Sequence, residues 1–319
     1  MKPDLLPALP ASFDEGRLAC GDGHSVWYAQ YGNPDGIPLF WLHGGPGSAS
    51  SLRHIELIDL ARYRLVLADQ RGCGRSLPLG ALLHNETRFL VGDIDRLRSH
   101  LQIERMLVGG GSWGAALALL YAAQHPATVA ALLLRAPFLA SRAEVDAFFA
   151  PPASGSDEFA ALAPGVQRDC LLPWLAQQLA LPDQAQCARI ALAWSRHERQ
   201  LESGNGAFAQ PVVDAAMIAR YRIQAHYLLH GCFVGKDSVP AAARGLGRMP
   251  AAILHGDADR VCPPYNARLL QRCLPAGRLR MVEGAGHDPF HPGMAAALME
   301  ALDCYARNAD FDAWGGGHA

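Results

Sequence analysis

The sequence predicts an α/β fold: a mostly parallel central sheet with helices on both faces, interrupted by a helical insertion. Short apolar runs alternate with helix-spaced segments over residues 20–137. The same alternation resumes after residue 245. Between the two, the chain is rich in Ala, Gln and Leu and carries no convincing strand pattern. Alternating strands and helices require crossover connections, which build a parallel sheet covered on both sides.

In chain order, Pro38-Leu39-Phe40-Trp41-Leu42 reads as the first buried strand. Arg64-Leu65-Val66-Leu67-Ala68 and Met106-Leu107-Val108 follow, and Ala131-Leu132-Leu133-Leu134 is a fourth. Residues 89–101 and 113–124 have helical spacing, and His125-Pro126 ends the second helix. The later strands are Ala252-Ile253-Leu254-His255 and Leu279-Arg280-Met281-Val282, with a last helix near residues 294–307. These boundaries divide the chain into a core of residues 1–137 and 246–319 and a helical cap of residues 138–245. Pro151-Pro152, Pro164-Gly165 and Ser203-Gly204-Asn205-Gly206 punctuate the cap, and Gly315-Gly316-Gly317 reads as a disordered tail.

A chain of 319 residues with 50% hydrophobic and 18% charged residues can bury a large core. Its net charge of −2 offers no basic field for nucleic acid or an anionic membrane, so neither is expected as a partner. The eight cysteines form no C-x-x-C pair, and reduced, mostly buried thiols are expected. The start Met1-Lys2-Pro3-Asp4-Leu5 lacks the basic and apolar regions of a signal peptide, so a soluble cytoplasmic protein is expected. No metal-ligand cluster or dinucleotide fingerprint is present, and no cofactor is expected.

Gly110-Gly111-Ser112-Trp113-Gly114 reads G-x-S-x-G between a strand and a helix. A serine hydroxyl is a weak nucleophile unless a base takes its proton and a sharp turn projects it into a cleft. The base is a histidine, which needs a carboxylate to fix its tautomer. Loops at the carboxyl ends of parallel strands bring such groups together. After one late strand comes His255-Gly256-Asp257-Ala258-Asp259; after the next, Glu283-Gly284-Ala285-Gly286-His287. Asp259 lies farther from its strand end than Asp257, where a loop can reach the histidine, and Asp257 is assigned to shaping the turn. His287, framed by Gly284 and Gly286, is preferred to His291, between Phe290 and Pro292. The order Ser112, Asp259, His287 is that of α/β-hydrolases.

A developing oxyanion needs two backbone donors. Trp113, after the nucleophile, supplies one. Gly45 in His43-Gly44-Gly45-Pro46-Gly47 supplies the other, with Gly44 as the neighbour that permits the approach.

With these residues placed, the chain resembles the proline iminopeptidase (prolyl aminopeptidase) family of α/β-hydrolases. The resemblance rests on His43-Gly44-Gly45-Pro46-Gly47, Asp69-Gln70-Arg71-Gly72-Cys73-Gly74-Arg75-Ser76, Gly110-Gly111-Ser112-Trp113-Gly114 and Val261-Cys262-Pro263. It implies removal of an N-terminal proline by a metal-free serine mechanism beneath a helical cap. It also implies two cap glutamates that bind the substrate's amine. Trp194-Ser195-Arg196-His197-Glu198 matches the first of these segments and makes Glu198 a candidate; with Arg196 and Arg199 beside it, the alternative is a solvated helix-surface glutamate. The second segment reads Tyr221-Arg222-Ile223-Gln224-Ala225-His226-Tyr227-Leu228, with Gln224 and Leu228 where the family has glutamate and phenylalanine. Loss of a carboxylate from a cationic site costs about 1.5–3 kcal/mol of binding. Phe138 resembles a residue lining the family's proline pocket.

The leading expectation is therefore a prolyl aminopeptidase acting on a small peptide through an acyl-enzyme. A second reading is an esterase or amidase for a neutral small molecule, motivated by Gln224. A third is a non-catalytic ligand-binding homologue.

Overall fold

The computed structural model describes residues 10–152, 156–203, 211–235 and 238–314. Eight strands form one sheet: β1 (Asp14–Gly21), β2 (His24–Gly32), β3 (Ile37–Leu42), β4 (Tyr63–Ala68), β5 (Met106–Gly111), β6 (Val129–Arg135), β7 (Ala251–Gly256) and β8 (Gly277–Val282). Their order is β1-β2-β4-β3-β5-β6-β7-β8. Six strands, β4-β3-β5-β6-β7-β8, run parallel; β2 joins β4 and β1 joins β2 antiparallel.

All six strands read from sequence are present, each lengthened by one to three residues. The first two were not read as strands. β1 (DEGRLACG) alternates half-buried and exposed positions at a sheet edge, with only Cys20 buried, so it contains no apolar run to recognise. Its link to β2 is the two-residue loop Asp22-Gly23, both at positive φ (53° and 79°). This is the preferred Asp-Gly hairpin turn.

Alternation along the strands divides the core between the two faces. Phe40, Leu42, Val66, Val108, Leu132 and Ile253 face one side. That side is covered by α1 (Thr87–His100), α2 (Trp113–Gln124) and α9 (Tyr265–Cys273). Leu39, Trp41, Leu65, Leu107, Leu133 and Leu254 face the other, beneath α10 (Pro292–Asn308). From residue 113 to residue 122 every position of α2 is buried, which is why its sequence is apolar all round rather than amphipathic.

Between β6 and β7 come α3 (Arg142–Phe148), α4 (Glu158–Leu162), α5 (Arg168–Leu179), α6 (Gln184–Ser203), α7 (Ala215–Leu229) and α8 (Val239–Gly245), with no strand among the described residues. α5, α6 and α7 pack on one another, whereas α8 packs on α2 and α9. An aromatic cluster sets α6 against α7. Trp194 stacks on Tyr221 at 5.3 Å, and Phe149 meets the same indole edge-on at 5.1 Å. Gly204, Asn205, Gly206 and the Gly315-Gly316-Gly317 tail lie outside the described residues.

Candidate active site

Ser112 stands between the end of β5 and the start of α2 with φ 57° and ψ −122°. No side-chain preference favours that conformation; the surrounding backbone imposes it. A Cβ on Gly114 would lie 2.0 Å from the Leu42 carbonyl oxygen, so only glycine lets α2 start this close to β3. The Ser112 N–H donates to the Arg135 carbonyl at 2.9 Å, and its Oγ lies 3.9 Å from Cys262 Sγ.

The two loops after β7 and β8 meet beside it. His287 Nδ1 donates to Asp259 Oδ2 at 2.7 Å. Asp259 Oδ1 accepts the N–H groups of Val261 and Cys262, both at 2.9 Å. Burial alone would push the Asp259 carboxyl up, but the imidazole of His287 and these hydrogen bonds outweigh it and hold the group below the usual carboxylate range. Asp257 instead accepts the Gly284 N–H at 2.8 Å and ties the two loops together. His291 stands immediately before α10 and makes no side-chain capping bond to it. The guanidinium of Arg135, at the end of β6, donates to the His287 carbonyl at 2.7 Å. Buried His255 donates through Nε2 to the Cys262 carbonyl at 3.0 Å, and burial lowers its pKa.

Across the cleft, the loop after β3 is held by a histidine in a fixed tautomer. His43 Nε2 accepts the Gln70 N–H at 2.9 Å, which leaves the proton on Nδ1 for the Gly44 carbonyl, also at 2.9 Å. The Gln70 side chain then links both halves of the cleft: its amide donates to the His43 carbonyl at 2.8 Å, and its oxygen accepts the Trp113 indole N–H at 3.0 Å. A Cβ on Gly44 would sit 3.2 Å from Ser112 Cβ, so the loop passes directly over the serine. The N–H of Gly45 has no acceptor among the described residues. That of Trp113, at the first position of a helix, has no intrahelical acceptor.

One cavity is bounded by Ser112, His287, Gly44 and Gly45 below and by Phe138, Glu198, Gln224 and Leu228 on the helical side. Every side chain assigned to substrate from sequence therefore borders the same space. Glu198 is no surface glutamate: its side chain is 12% exposed. Its Oε2 accepts from Arg220 at 2.7 Å and from the Tyr221 hydroxyl at 2.9 Å, and its Oε1 accepts from Gln224 Nε2 at 3.0 Å.

Comparison with known proteins fits this geometry. A family model described as alpha/beta hydrolase fold matches residues 37–293. A proline iminopeptidase of Xylella fastidiosa (strain Temecula1) is 38% identical over 309 residues, covering 92% of this chain and 96% of the relative. A proline iminopeptidase of Xanthomonas citri is 35% identical over 320 residues, covering 95% and 98%. The chain belongs to the proline iminopeptidase family of α/β hydrolases. Among solved structures, a bromoperoxidase from Bacillus anthracis superposes with a TM-score of 0.61 at 16% identity, covering 92% of this chain and all of that one, a likeness of fold.

The family motif Asp69–Ser76 does its work beneath the site. Asp69 accepts the Ser50 N–H and the Arg75 guanidinium, both at hydrogen-bond distance, and Arg75 lies 3.3 Å over the Trp27 ring. Arg71, with no exposed side-chain surface, forms a two-pronged pair with Asp93 on α1 at 2.5 and 2.8 Å. Among the cavity residues given no role from sequence are Arg135, Glu202 and Arg220, while Cys262 entered only within the motif Val261-Cys262-Pro263. Glu202 carried a usable signal, since it stands four residues after Glu198 on the same helix face. Arg220 and Arg135 had none, because their proximity depends on how separate elements pack.

Proposed function

We propose that this chain is a prolyl aminopeptidase that releases an N-terminal proline from small peptides, with residues 138–245 acting as a cap over the site. The observation that carries the reading is the single cavity shared by Ser112, the Asp259–His287 pair and a polar cap wall. Membership of the proline iminopeptidase family supports the substrate class. His287 takes the Ser112 proton as Oγ bonds to the proline carbonyl carbon, and the carbonyl π pair moves onto oxygen. The N–H groups of Gly45 and Trp113 receive that oxyanion. As the C–N bond breaks, His287 returns the proton to the departing amine and leaves a prolyl ester on Ser112. Water activated by the same histidine then hydrolyses the ester. The proline ring lies against Phe138 and Leu228, and its cationic nitrogen turns to the wall of Glu198 and Gln224. The eight unpaired cysteines suit a cytoplasmic setting.

The test is hydrolysis of a proline arylamide, its N-acetylated analogue and p-nitrophenyl acetate by the wild type and by Ser112→Ala. The expected result is turnover of the free-amine arylamide at least tenfold above the blocked one, lost in Ser112→Ala. Equal rates on the two arylamides would sink the reading. A second reading, an esterase or amidase for a neutral molecule, is favoured by the pairing of Arg220 with Glu198 and by the neutral Gln224. It requires ester turnover with no measurable proline-arylamide cleavage.

A further inference from the structure

The cap wall contains two glutamates whose bonding differs. Glu198 has both oxygens engaged by Arg220, Tyr221 and Gln224. Three donors already occupy most of its acceptor sites, and the Arg220 charge already offsets that of Glu198. Glu202 lies one helical turn further along α6, borders the same cavity as Ser112 and His287, and has no hydrogen bond or ion pair among the described residues. Two carboxylates at i and i+4 repel, a small cost to the helix.

Gln224 adds an independent observation. Its Nε2 must point at the Glu198 carboxylate, because only a donor can bond there. The amide plane then fixes Oε1 as an acceptor, and this atom is buried with no partner among the described residues, in a residue only 4% exposed. A buried, unsatisfied carbonyl on the wall of a binding cavity calls for a donor from the ligand. Glu202 is exposed to solvent and borders the cavity. Desolvation by the neighbouring protein raises its pKa above the usual carboxylate range and the Glu198 charge adds to this, against the opposing pull of His287, Arg220 and Arg135. A cation docked beside it would relieve both raising effects.

We infer that Glu202 supplies the negative charge, and Gln224 Oε1 the neutral acceptor, that bind a substrate's cationic secondary amine, while Glu198 serves as the positioning residue that orients Gln224 and holds Arg220 aside. This rests on the aminopeptidase reading for its substrate but concerns a binding event that can be measured without turnover.

The probe is pyrrolidinium, the cationic ring of proline without its carbonyl, with cyclopentanol as the neutral ring of the same size. Each competes with labelling of Ser112 by a fluorophosphonate at pH 8, in the wild type, Glu202→Gln and Glu202→Asp. The expected result is a pyrrolidinium inhibition constant weakened about tenfold in Glu202→Gln, the scale of one charged hydrogen bond. Cyclopentanol should shift less than twofold, and Glu202→Asp should recover part of the loss. A change under twofold in Glu202→Gln, an Asp variant as weak as Gln, or a wild type indifferent to pyrrolidinium overturns the inference. Glu202-dependent pyrrolidinium binding without proline-arylamide turnover would retain it and remove the aminopeptidase reading instead.

Discussion

Asp259 serves as both tautomer anchor and loop clamp, through one oxygen for each task. Oδ2 accepts the hydrogen bond of His287 Nδ1–H, and Oδ1 accepts those of the Val261 and Cys262 N–H groups. An amide at this position can keep one set of bonds but not both, because its NH2 group has no acceptor role. For Asp259→Asn the expected outcome is a fall in kcat of about 10⁴, as a wrongly protonated imidazole cannot take the serine proton. Steady-state kinetics on p-nitrophenyl acetate checks it, and a loss below tenfold would mean that another group orients His287. At this scale, covalently local chemistry was legible: Ser112, Asp259 and His287 follow from motif, strand end and chain order. The preference for Asp259 over Asp257 rests on the reach of a loop; in the structure Asp259 accepts from His287 and Asp257 from the Gly284 N–H. The charge state of the cap wall was not legible. It depends on Arg220 meeting Glu198 across two helices, a pairing with no fixed sequence spacing.

The elements meet most tightly where α7 rests on the loop after β3. Gly47 has φ +96°, and a Cβ there would lie 2.3 Å from the Arg220 carbonyl oxygen and 3.2 Å from the Gln224 nitrogen. The loop carrying Gly45 and the helix carrying Gln224 are thus in backbone contact, which couples the proposed oxyanion donors to the proposed amine wall. Gly47→Ala meets both a backbone clash and a strained φ, and the expected loss is about 1–3 kcal/mol of stability. The separation of α7 from the loop should also raise KM for proline arylamides more than for p-nitrophenyl acetate. Urea unfolding and paired kinetics measure the two effects; an Ala variant of native stability would show that α7 can move away freely. Buried elements were readable because parallel strands form continuous apolar runs. β1 was not, since an edge strand mixes polar and apolar residues, and β2, an interior strand antiparallel to both neighbours, breaks its apolar run with His24, Ser25 and Gln30.

Across the whole molecule, burial has trapped several histidines in the neutral form. His43, His197 and His255 are buried and His54 partly so, packed between the rings of Trp41 and Phe290. In each, burial is the main cause that lowers the pKa from 6.5, and for His54 the value falls to about 4. The unfolded chain takes up protons near 6.5, whereas the folded chain does so only at lower pH. Below 6.5 the unfolded state therefore binds more protons, and stability is lost as pH falls. Above 6.5 this contribution is fully present. Each such histidine steepens the loss by up to about 1.4 kcal/mol per pH unit until its folded pKa is reached. A second stage follows from Asp69 and Asp259, whose carboxyls remain below the usual 3.8 despite burial, Asp69 through the Arg75 guanidinium and Asp259 through His287. Their contribution is complete above the usual carboxylate range and disappears as pH falls through their folded values. Urea midpoints should thus be level from pH 8 to 7, decline from about 6.5, and fall again below 4. His54→Phe keeps the ring contacts with Trp41 and Phe290 but removes one titrating group, so its slope between pH 6.5 and 4 should be shallower than that of the wild type. A midpoint unchanged from pH 8 to 5 would show that the unfolded chain gains no proton over the folded one, and with it that the imidazoles are not held neutral by the fold.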